Sequence, residues 1–372
     1  MRVLFKMKNN FFVFQNQPQA IQQFKIDWPI SFFNSYQYVD YQATEQIYTF
    51  VLTDETQQKA LAFFHLFVDN KNGLSPKRGS YGSFEISEKL TISSLQNFVT
   101  NIINFCQELD LEKIEIKHFP TCYDVKRSEI IERALLQCGF TILSNHENQY
   151  LEITNEHFET KLHSSEKRRL QKCLKAGFIF EEIQQLDIGQ VYDFISKNRK
   201  ELGYKMTFEL ENLQTWFRLF SCSGFVIHNQ IDIGYSGFAI QNQIDEDLKS
   251  ISKNIYQVFC VKENQKIIAL TITVNVAEGI LYNFCPADDL AYRIFSPTVL
   301  LTKGLYEYCQ RKKIKCLDLG VSIDSESQPK PNLLRFKRNL GALSSKKKVF
   351  SYLFNRSLSP RQTAVMSSET LK

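Results

Sequence analysis

The segment PNLLRFKRNLGA, residues 331–342, predicts a short helix with one side chain in an unexpected place. Pro331 suits the first position of a helix, and Gly341 suits the position just after its end. At about 100° per residue, four apolar side chains fall on one arc of the helix: Leu333, Leu334, Phe336 and Leu340. Three polar side chains fall on the other side: Arg335, Arg338 and Asn339. Lys337 falls inside the apolar arc, so the pattern predicts a lysine whose stem lies in the packed face.

The segments on either side of this helix predict strands. KCLDLGV (315–321) precedes the helix and KKVFSYLF (347–354) follows it. The first half of the chain has the same order of elements: KIEIKHFP (113–120), SEIIERALLQCGF (128–140) and QYLEI (149–153). The repeated order predicts an α/β protein of mixed sheets, built from two tandem domains of one fold. The alternative is that two ordinary α/β segments share an order by chance.

Two short matches support the duplication. IEI at 114–116 corresponds to LDL at 317–319, and SP at 75–76 recurs at 296–297. We therefore predict an N-terminal domain over residues 1–155 and a C-terminal domain over 156–356. Residues 225–255 are predicted to form an inserted loop or hairpin. Residues 357–372 lack apolar periodicity and are predicted to be a disordered tail.

Composition and charge exclude several classes of protein. The 372 residues carry a net charge of only +5, which allows an anionic ligand but is too small for a general nucleic-acid binder. The nine cysteines include no CxxC pair, and the six histidines are isolated, so we expect reduced thiols, no metal site and a cytoplasmic protein. No segment approaches the length of a membrane span. We expect a monomer or weak dimer.

The segment HFETKLHSSEKRRLQKCLKAGF, residues 157–178, predicts a basic helix between the two domains. Its expected apolar stripe consists of Leu162, Leu170, Cys173 and Leu174. The remaining surface carries five cations: Lys167, Arg168, Arg169, Lys172 and Lys175. Such a charge run indicates either a solvated face or a surface that contacts phosphates.

Four segments in this order resemble the Fem-type branch of the GNAT acyltransferase superfamily: KRRLQKCLKAGF (167–178), FSPTVLLTKGLYEYCQ (295–310), LDLG (317–320) and LLRFKRNLGA (333–342). The FemA-, FemB- and FemX-like transferases of that branch carry two GNAT-like domains. The resemblance covers roughly residues 60–352. It implies that the lysine of the FK pair, here Phe336 and Lys337, lies in the transfer site of the second domain. The first domain is then structural or serves the acceptor side.

The resemblance implies an N-acyltransferase that moves an acyl or aminoacyl group from an activated donor to an amine. Acetyl-CoA-dependent GNAT enzymes have a glycine-rich pyrophosphate loop before the long helix, whereas this chain reads YRIFSPTVL (292–300) there. This departure favours an aminoacyl-tRNA donor, contacted through helix 161–176, and no tightly bound cofactor. The long helical-hairpin arm of some FemA-like proteins is also missing. One alternative is an acyl-CoA-dependent N-acetyltransferase acting on a small amine or sugar amine, and another is a binding protein that retains the fold without catalysis.

Eight residues are candidates for the site. Lys337 is predicted to stabilise the oxyanion of acyl transfer or to hold a donor phosphate, and Asp318 to orient or deprotonate the amine. Substrate-binding candidates are Phe336, Tyr282, Arg293, Ser296, Arg199 and Tyr204. Each has a structural alternative: a lysine stem that covers apolar surface, an aspartate that caps a loop, a serine N-cap, or simple packing.

Overall fold

The structure is a computed structural model that describes residues 5–7, 10–42, 46–183, 187–220, 255–324 and 326–354. The chain divides into two compact units: unit 1 is Met1–His146 with Lys346–Lys372, and unit 2 is Glu147–Ser345. The predicted tail at 357–372 lies outside the described residues, as does almost all of the predicted insertion at 225–255.

Unit 1 alternates strands and helices. Its elements are β1 (Phe5–Met7), β2 (Phe11–Gln15), α1 (Tyr36–Gln42), β3 (Gln46–Thr53), β4 (Ala60–Asp69), β5 (Asn72–Ser75), β6 (Glu85–Ile86), α2 (Ile92–Glu108), β7 (Lys113–Lys117) and α3 (Val125–Gln137). Short 3-10 helices lie at Pro18–Gln23, Phe32–Asn34 and Thr121–Tyr123. β8 (Thr141–Glu152) begins in this unit and ends in unit 2.

Unit 2 repeats the alternation. Its elements are α4 (Phe158–Lys161), α5 (Ser164–Lys175), β9 (Ile179–Ile183), α6 (Ile188–Glu201), α7 (Leu210–Phe220), β10 (Tyr256–Glu263), β11 (Lys266–Ala277), β12 (Ile280–Asn283), β13 (Ala287–Asp288), α8 (Pro297–Lys312), β14 (Cys316–Val321) and α9 (Pro331–Asn339). A 3-10 helix lies at Leu290–Tyr292. β15 (Leu343–Leu353) begins here and ends in unit 1.

The strands of the two units pair in the same order within each unit. This repeated order confirms the predicted tandem of mixed α/β domains. β2, β3, β4 and β5 pair antiparallel in that order, and β5 then pairs parallel with β7. In unit 2, β9, β10, β11 and β12 pair antiparallel, and β12 pairs parallel with β14. The IEI and LDL segments occupy the same place, because Ile114 pairs with Gly73 of β5 and Leu317 pairs with Leu281 of β12.

The SP match does not follow this repeat. Ser75-Pro76 lies at the end of β5, well before α2, whereas Ser296-Pro297 opens α8 directly. The correspondence predicted from these two dipeptides is therefore wrong, because each dipeptide belongs to a different element of the shared fold.

Each unit is completed by a strand from the other half of the sequence. Residues 148–152 of β8 pair antiparallel with β14, and residues 349–353 of β15 pair antiparallel with β7. This exchange explains why the division between the units differs from the predicted boundaries at 155 and 356. Contiguous sequence order contains no signal for a pairing of this kind.

The core of unit 2 lies between its sheet and helices α5 and α8. Leu317 and Leu319 of β14 and Leu151 of β8 are buried in this core. Gly304 of α8 allows close packing, since a Cβ there would lie 2.1 Å from the Phe180 ring. On the opposite face of the sheet, Trp216 of α7 stacks on Tyr256 of β10 at 5.5 Å between ring centroids. Asp318 alternates with Leu317 and Leu319 along β14, so its side chain lies on the α7 face.

Candidate functional site

Lys337 is the buried residue of helix α9. It is 7% exposed, and no other residue between Pro331 and Asn339 is buried. The predicted apolar arc is correct only in part, because Leu333 is 37% exposed and Leu334 and Phe336 are half-buried. Phe336 packs against the edge of the unit 2 core. The short helix thus buries its lysine more completely than its apolar side chains.

The Lys337 amine lies at the carboxyl end of β14. Its Nζ donates to the carbonyl oxygens of Gly320 and Val321, at 2.8 and 3.0 Å. These two bonds use two of the three N–H groups of an ammonium. Burial lowers the pKa of Lys337 to about 8, and the nearby Asp318 carboxylate opposes that shift. The amine is therefore charged at neutral pH and close to titration.

A bulge in β14 creates the carbonyl pair that Lys337 contacts. The pairing with β8 shifts register between Asp318 and Gly320, and Gly320 has a φ of +73°, which favours glycine. Asp318, 2% exposed, holds the bulge because its Oδ1 accepts from the Gly320 backbone N–H at 2.7 Å. The same oxygen accepts from Nδ2 of Asn148 at 2.8 Å.

The structure brings Tyr282, Asp318 and Lys337 together around Gly320. Tyr282 of β12 pairs directly with Asp318, and its ring lies 3.3 Å from where a Cβ on Gly320 would stand. Tyr204 lies in the loop after α6, and the centroid of its ring is 3.5 Å from the Nζ of Lys330, the residue just before α9.

The other predicted residues have partners elsewhere in unit 2. Arg293 pairs with Asp288 at 3.1 Å, and Arg199 donates to the carbonyl of Pro286 at 3.3 Å. Ser296 has a left-handed backbone (φ +57°) and makes no side-chain cap to α8. Roles for these three residues remain predictions.

Sequence reasoning did not find the residues that β8 contributes. Asn148 and Gln149 are fully buried, and Gln149 Oε1 accepts from the Ser322 hydroxyl at 2.7 Å. One sequence feature could have indicated these residues: polar side chains at 148–150 come directly before the apolar end of a predicted strand. These residues lie within 1–155, the range that the sequence predicts for the N-terminal domain.

Unit 1 has a different set of residues at the equivalent positions. Helices α3 and α9 each end before a glycine of positive φ, Gly139 and Gly341. The residue four positions before the glycine is the fully buried Leu135 in α3 and Lys337 in α9, so these two residues occupy equivalent positions. Glu115 takes the place of Asp318 and pairs with Lys113 at 3.2 Å. The fold itself therefore accepts leucine where unit 2 has its buried lysine.

Helix α5 presents its cations to solvent. All five predicted cations are exposed: Lys167, Arg168, Arg169, Lys172 and Lys175. The predicted apolar stripe is correct for Leu162, Leu170 and Cys173, whereas Leu174 is 43% exposed. Glu166 is fully buried and accepts two bonds from Arg169 at 2.8 and 3.0 Å. Arg168, Lys172 and Lys175 form one stripe at helical spacing, away from the buried side.

Metal-binding side chains are scattered. Within the described ranges, no three His, Cys, Asp or Glu residues lie close enough to share an ion. Likewise, none of the helices in that part of the chain has the length and apolar character needed to cross a membrane.

The comparison with solved structures identifies the fold. The crystal structure of FemX aligns with a TM-score of 0.56 and 11% identity, over 83% of this chain and 88% of that chain. A conserved protein of unknown function from Bacteroides thetaiotaomicron VPI-5482 aligns with a TM-score of 0.51 and 9% identity, over 95% of this chain and 100% of that chain. A tandem GNAT protein from the clavulanic acid biosynthesis pathway aligns with a TM-score of 0.46 and 8% identity, over 84% of each chain.

No family model and no curated protein matches the sequence. The alignment with FemX shows that the chain has the same fold as that protein, so the predicted resemblance to the Fem-type branch is confirmed at the level of the fold. Because one fold hosts many activities, function has to be argued from the site.

Proposed function

We propose that this protein is an N-acyltransferase of Fem/GNAT type whose transfer site lies in unit 2 around Lys337. The observation that carries the proposal is the buried amine of Lys337, fixed by two carbonyl oxygens, at a position where unit 1 has Leu135. Burying a charge is costly unless the charge is paired and hydrogen-bonded, and the lowered pKa of Lys337 indicates that its two hydrogen bonds compensate only part of that cost. The leucine in unit 1 supports function as the reason for the lysine in unit 2.

In this reaction the acceptor amine attacks the carbonyl carbon of the activated acyl group. The C–N bond forms as the carbonyl oxygen becomes an oxyanion, and the third N–H of Lys337 stabilises that oxygen. The leaving group then departs with the electron pair of its bond to the acyl carbon, and the nitrogen loses a proton. Asp318 acts as a positioning residue, because it holds the Gly320 bulge and favours the charged form of Lys337.

For the donor, we propose an aminoacyl-tRNA that contacts the exposed cations of α5. The stripe of Arg168, Lys172 and Lys175 provides positive charge spaced along one side of a helix, as phosphate contacts require. The observation that favours acyl-CoA instead is the start of α8. Ser296 does not cap it with its side chain, and although Pro297 has no N–H and the Val299 N–H donates to the Ser296 carbonyl oxygen at 2.9 Å, the Thr298 N–H lies at this helix start, where an anion is favoured.

The function is tested by turnover. Native mass spectrometry of the purified protein should identify a co-purified donor or acceptor. Matched assays should then measure acylation of that acceptor with aminoacyl-tRNA and with acyl-CoA. If the protein binds a ligand but transfers no acyl group from either donor, it is a binding protein of this fold rather than an enzyme.

We expect acetyl-CoA to bind weakly or undetectably in calorimetry with the full chain. The reason is that YRIFSPTVL has no glycine in the loop that would cradle a pyrophosphate, and Pro297 removes one backbone donor. Micromolar binding of acetyl-CoA would make acyl-CoA the preferred donor.

Replacing cations of α5 should lower the affinity for tRNA, and it should also make that affinity less dependent on salt concentration. Arg168→Ala and Lys172→Ala each remove one contact, so the slope of log K against log salt should fall by about 1 per substitution. The measurement is tRNA binding by filter retention at several salt concentrations. Lys126→Ala is the control, because Lys126 is an exposed lysine of α3 in unit 1. Equal effects from Lys126→Ala would assign the binding to net charge alone.

A further inference from the structure

Five residues of unit 2 form one continuous row across the sheet. Tyr256 pairs with Val274, Val274 with Tyr282, Tyr282 with Asp318, and Asp318 with Tyr150. Directly paired residues point to the same face of a sheet, and neighbouring strands lie about 4.8 Å apart. Asp318 therefore has a tyrosine on each side, both on the α7 face. Tyr150 and Tyr282 are half-buried, so each residue keeps part of its surface exposed.

The corresponding row of unit 1 has no tyrosine next to its acid. There Leu74 pairs with Glu115, and Glu115 pairs with Ser351. Leucine and serine thus occupy the places of Tyr282 and Tyr150. Since the same fold forms without these aromatic rings, the two tyrosines of unit 2 are not required by its architecture.

Asn148 adds an unused acceptor beside the acid. It lies two residues from Tyr150, on the same face, and its Nδ2 donates to Asp318. Its side chain is fully buried, and its Oδ1 has no hydrogen-bond partner. A buried acceptor without a donor is destabilising, which points to a ligand that supplies N–H groups.

We propose that Tyr150, Asp318, Tyr282 and Asn148 bind the acceptor as a primary ammonium ion, which loses one proton to solvent before its nitrogen attacks the acyl carbon. The carboxylate supplies the opposite charge, the two rings supply cation–π contacts, and Asn148 Oδ1 accepts an N–H. This proposal rests on the proposed function, since it assigns the acceptor end of the same site. It assigns residues to the acceptor end of that site, and two of them, Asn148 and Tyr150, come from the first half of the chain through β8.

The test is equilibrium binding, which needs no acyl turnover. Saturation-transfer NMR with the full-length protein should show that n-butylammonium binds. The control ligand n-butanol has the same butyl group but no charge, and it should bind much more weakly. Asp318→Asn keeps an oxygen for the Gly320 N–H and should weaken n-butylammonium at least about tenfold. Tyr282→Leu and Tyr150→Ser introduce the residues of unit 1 and should each weaken it about two- to fivefold.

Glu115→Gln is the matched control, because it neutralises the equivalent acid in unit 1 and should leave n-butylammonium binding unchanged. Circular dichroism should show that each variant is folded. Equal binding of n-butanol, or full affinity in both tyrosine variants, would overturn the ammonium site. Such a result would leave acyl transfer at Lys337 intact. Conversely, n-butylammonium binding without transfer from any donor would support this site while removing the proposed function.

Discussion

Lys337→Met is expected to lower kcat for acyl transfer by on the order of a hundredfold or more, as the loss of an oxyanion donor does in other enzymes. Methionine keeps most of the stem of the lysine and removes only the charged end. Because the ammonium acts on the charge that develops in the transition state, KM should change much less than kcat. Steady-state kinetics with the identified donor and acceptor measure both constants.

The matched control for this variant is Lys113→Met, which removes a partly exposed lysine of β7 in unit 1. It should leave kcat within about twofold of the wild-type value, as surface substitutions away from a site generally have small effects. Unchanged turnover in Lys337→Met would show that the amine only fills space next to Gly320. Equal losses in both variants would indicate a general effect of charge.

Local sequence patterns were sufficient to find the centre of the candidate site. The helical wheel singled out Lys337 because a cation within an apolar arc departs from the helix period. Asp318 was found because LDLG places an acid at the end of a buried strand. The same local reasoning overestimated the burial of Leu333, because a helix of nine residues at the edge of a core contacts it mainly through one or two side chains.

The parts that sequence did not predict depend on pairing between distant strands. Asn148 and Tyr150 reach Asp318 because β8 pairs with β14, about 170 residues later in the chain. Strand periodicity shows which residues share a face, but it contains no information on which strand lies next to it. The bulge at Gly320 is a second example, since it depends on the register against β8. A glycine in that position could equally have marked the end of the strand.

The second large effect concerns stability and pH. The folded-state pKa of Lys337 is lowered by burial from 10.5 to about 8, so below pH 8 the folded protein holds a buried charge at full cost. Between pH 8 and 10.5 the folded state loses this proton while the unfolded state keeps it. The unfolded state then binds more protons, and the free energy of unfolding rises with pH. A shift of this size corresponds to about 3 kcal/mol across that window.

Urea denaturation of wild type and Lys337→Met at several pH values between 7 and 10.5 isolates this effect. Tyrosines and cysteines titrate in both proteins, so the difference between the two unfolding free energies reports on Lys337 alone. We expect that difference to shift by about 3 kcal/mol in favour of the wild type as the pH rises. At pH 7 the variant gains stability because it no longer buries a charge. It also loses the two hydrogen bonds to the carbonyls of Gly320 and Val321, and this loss offsets part of that gain. A difference that stays constant with pH would mean that the amine is solvated in the folded protein. The expected change with pH would show that the charge of Lys337 destabilises the fold at neutral pH, in a position where unit 1 has leucine, which is what a lysine retained for the proposed acyl transfer predicts.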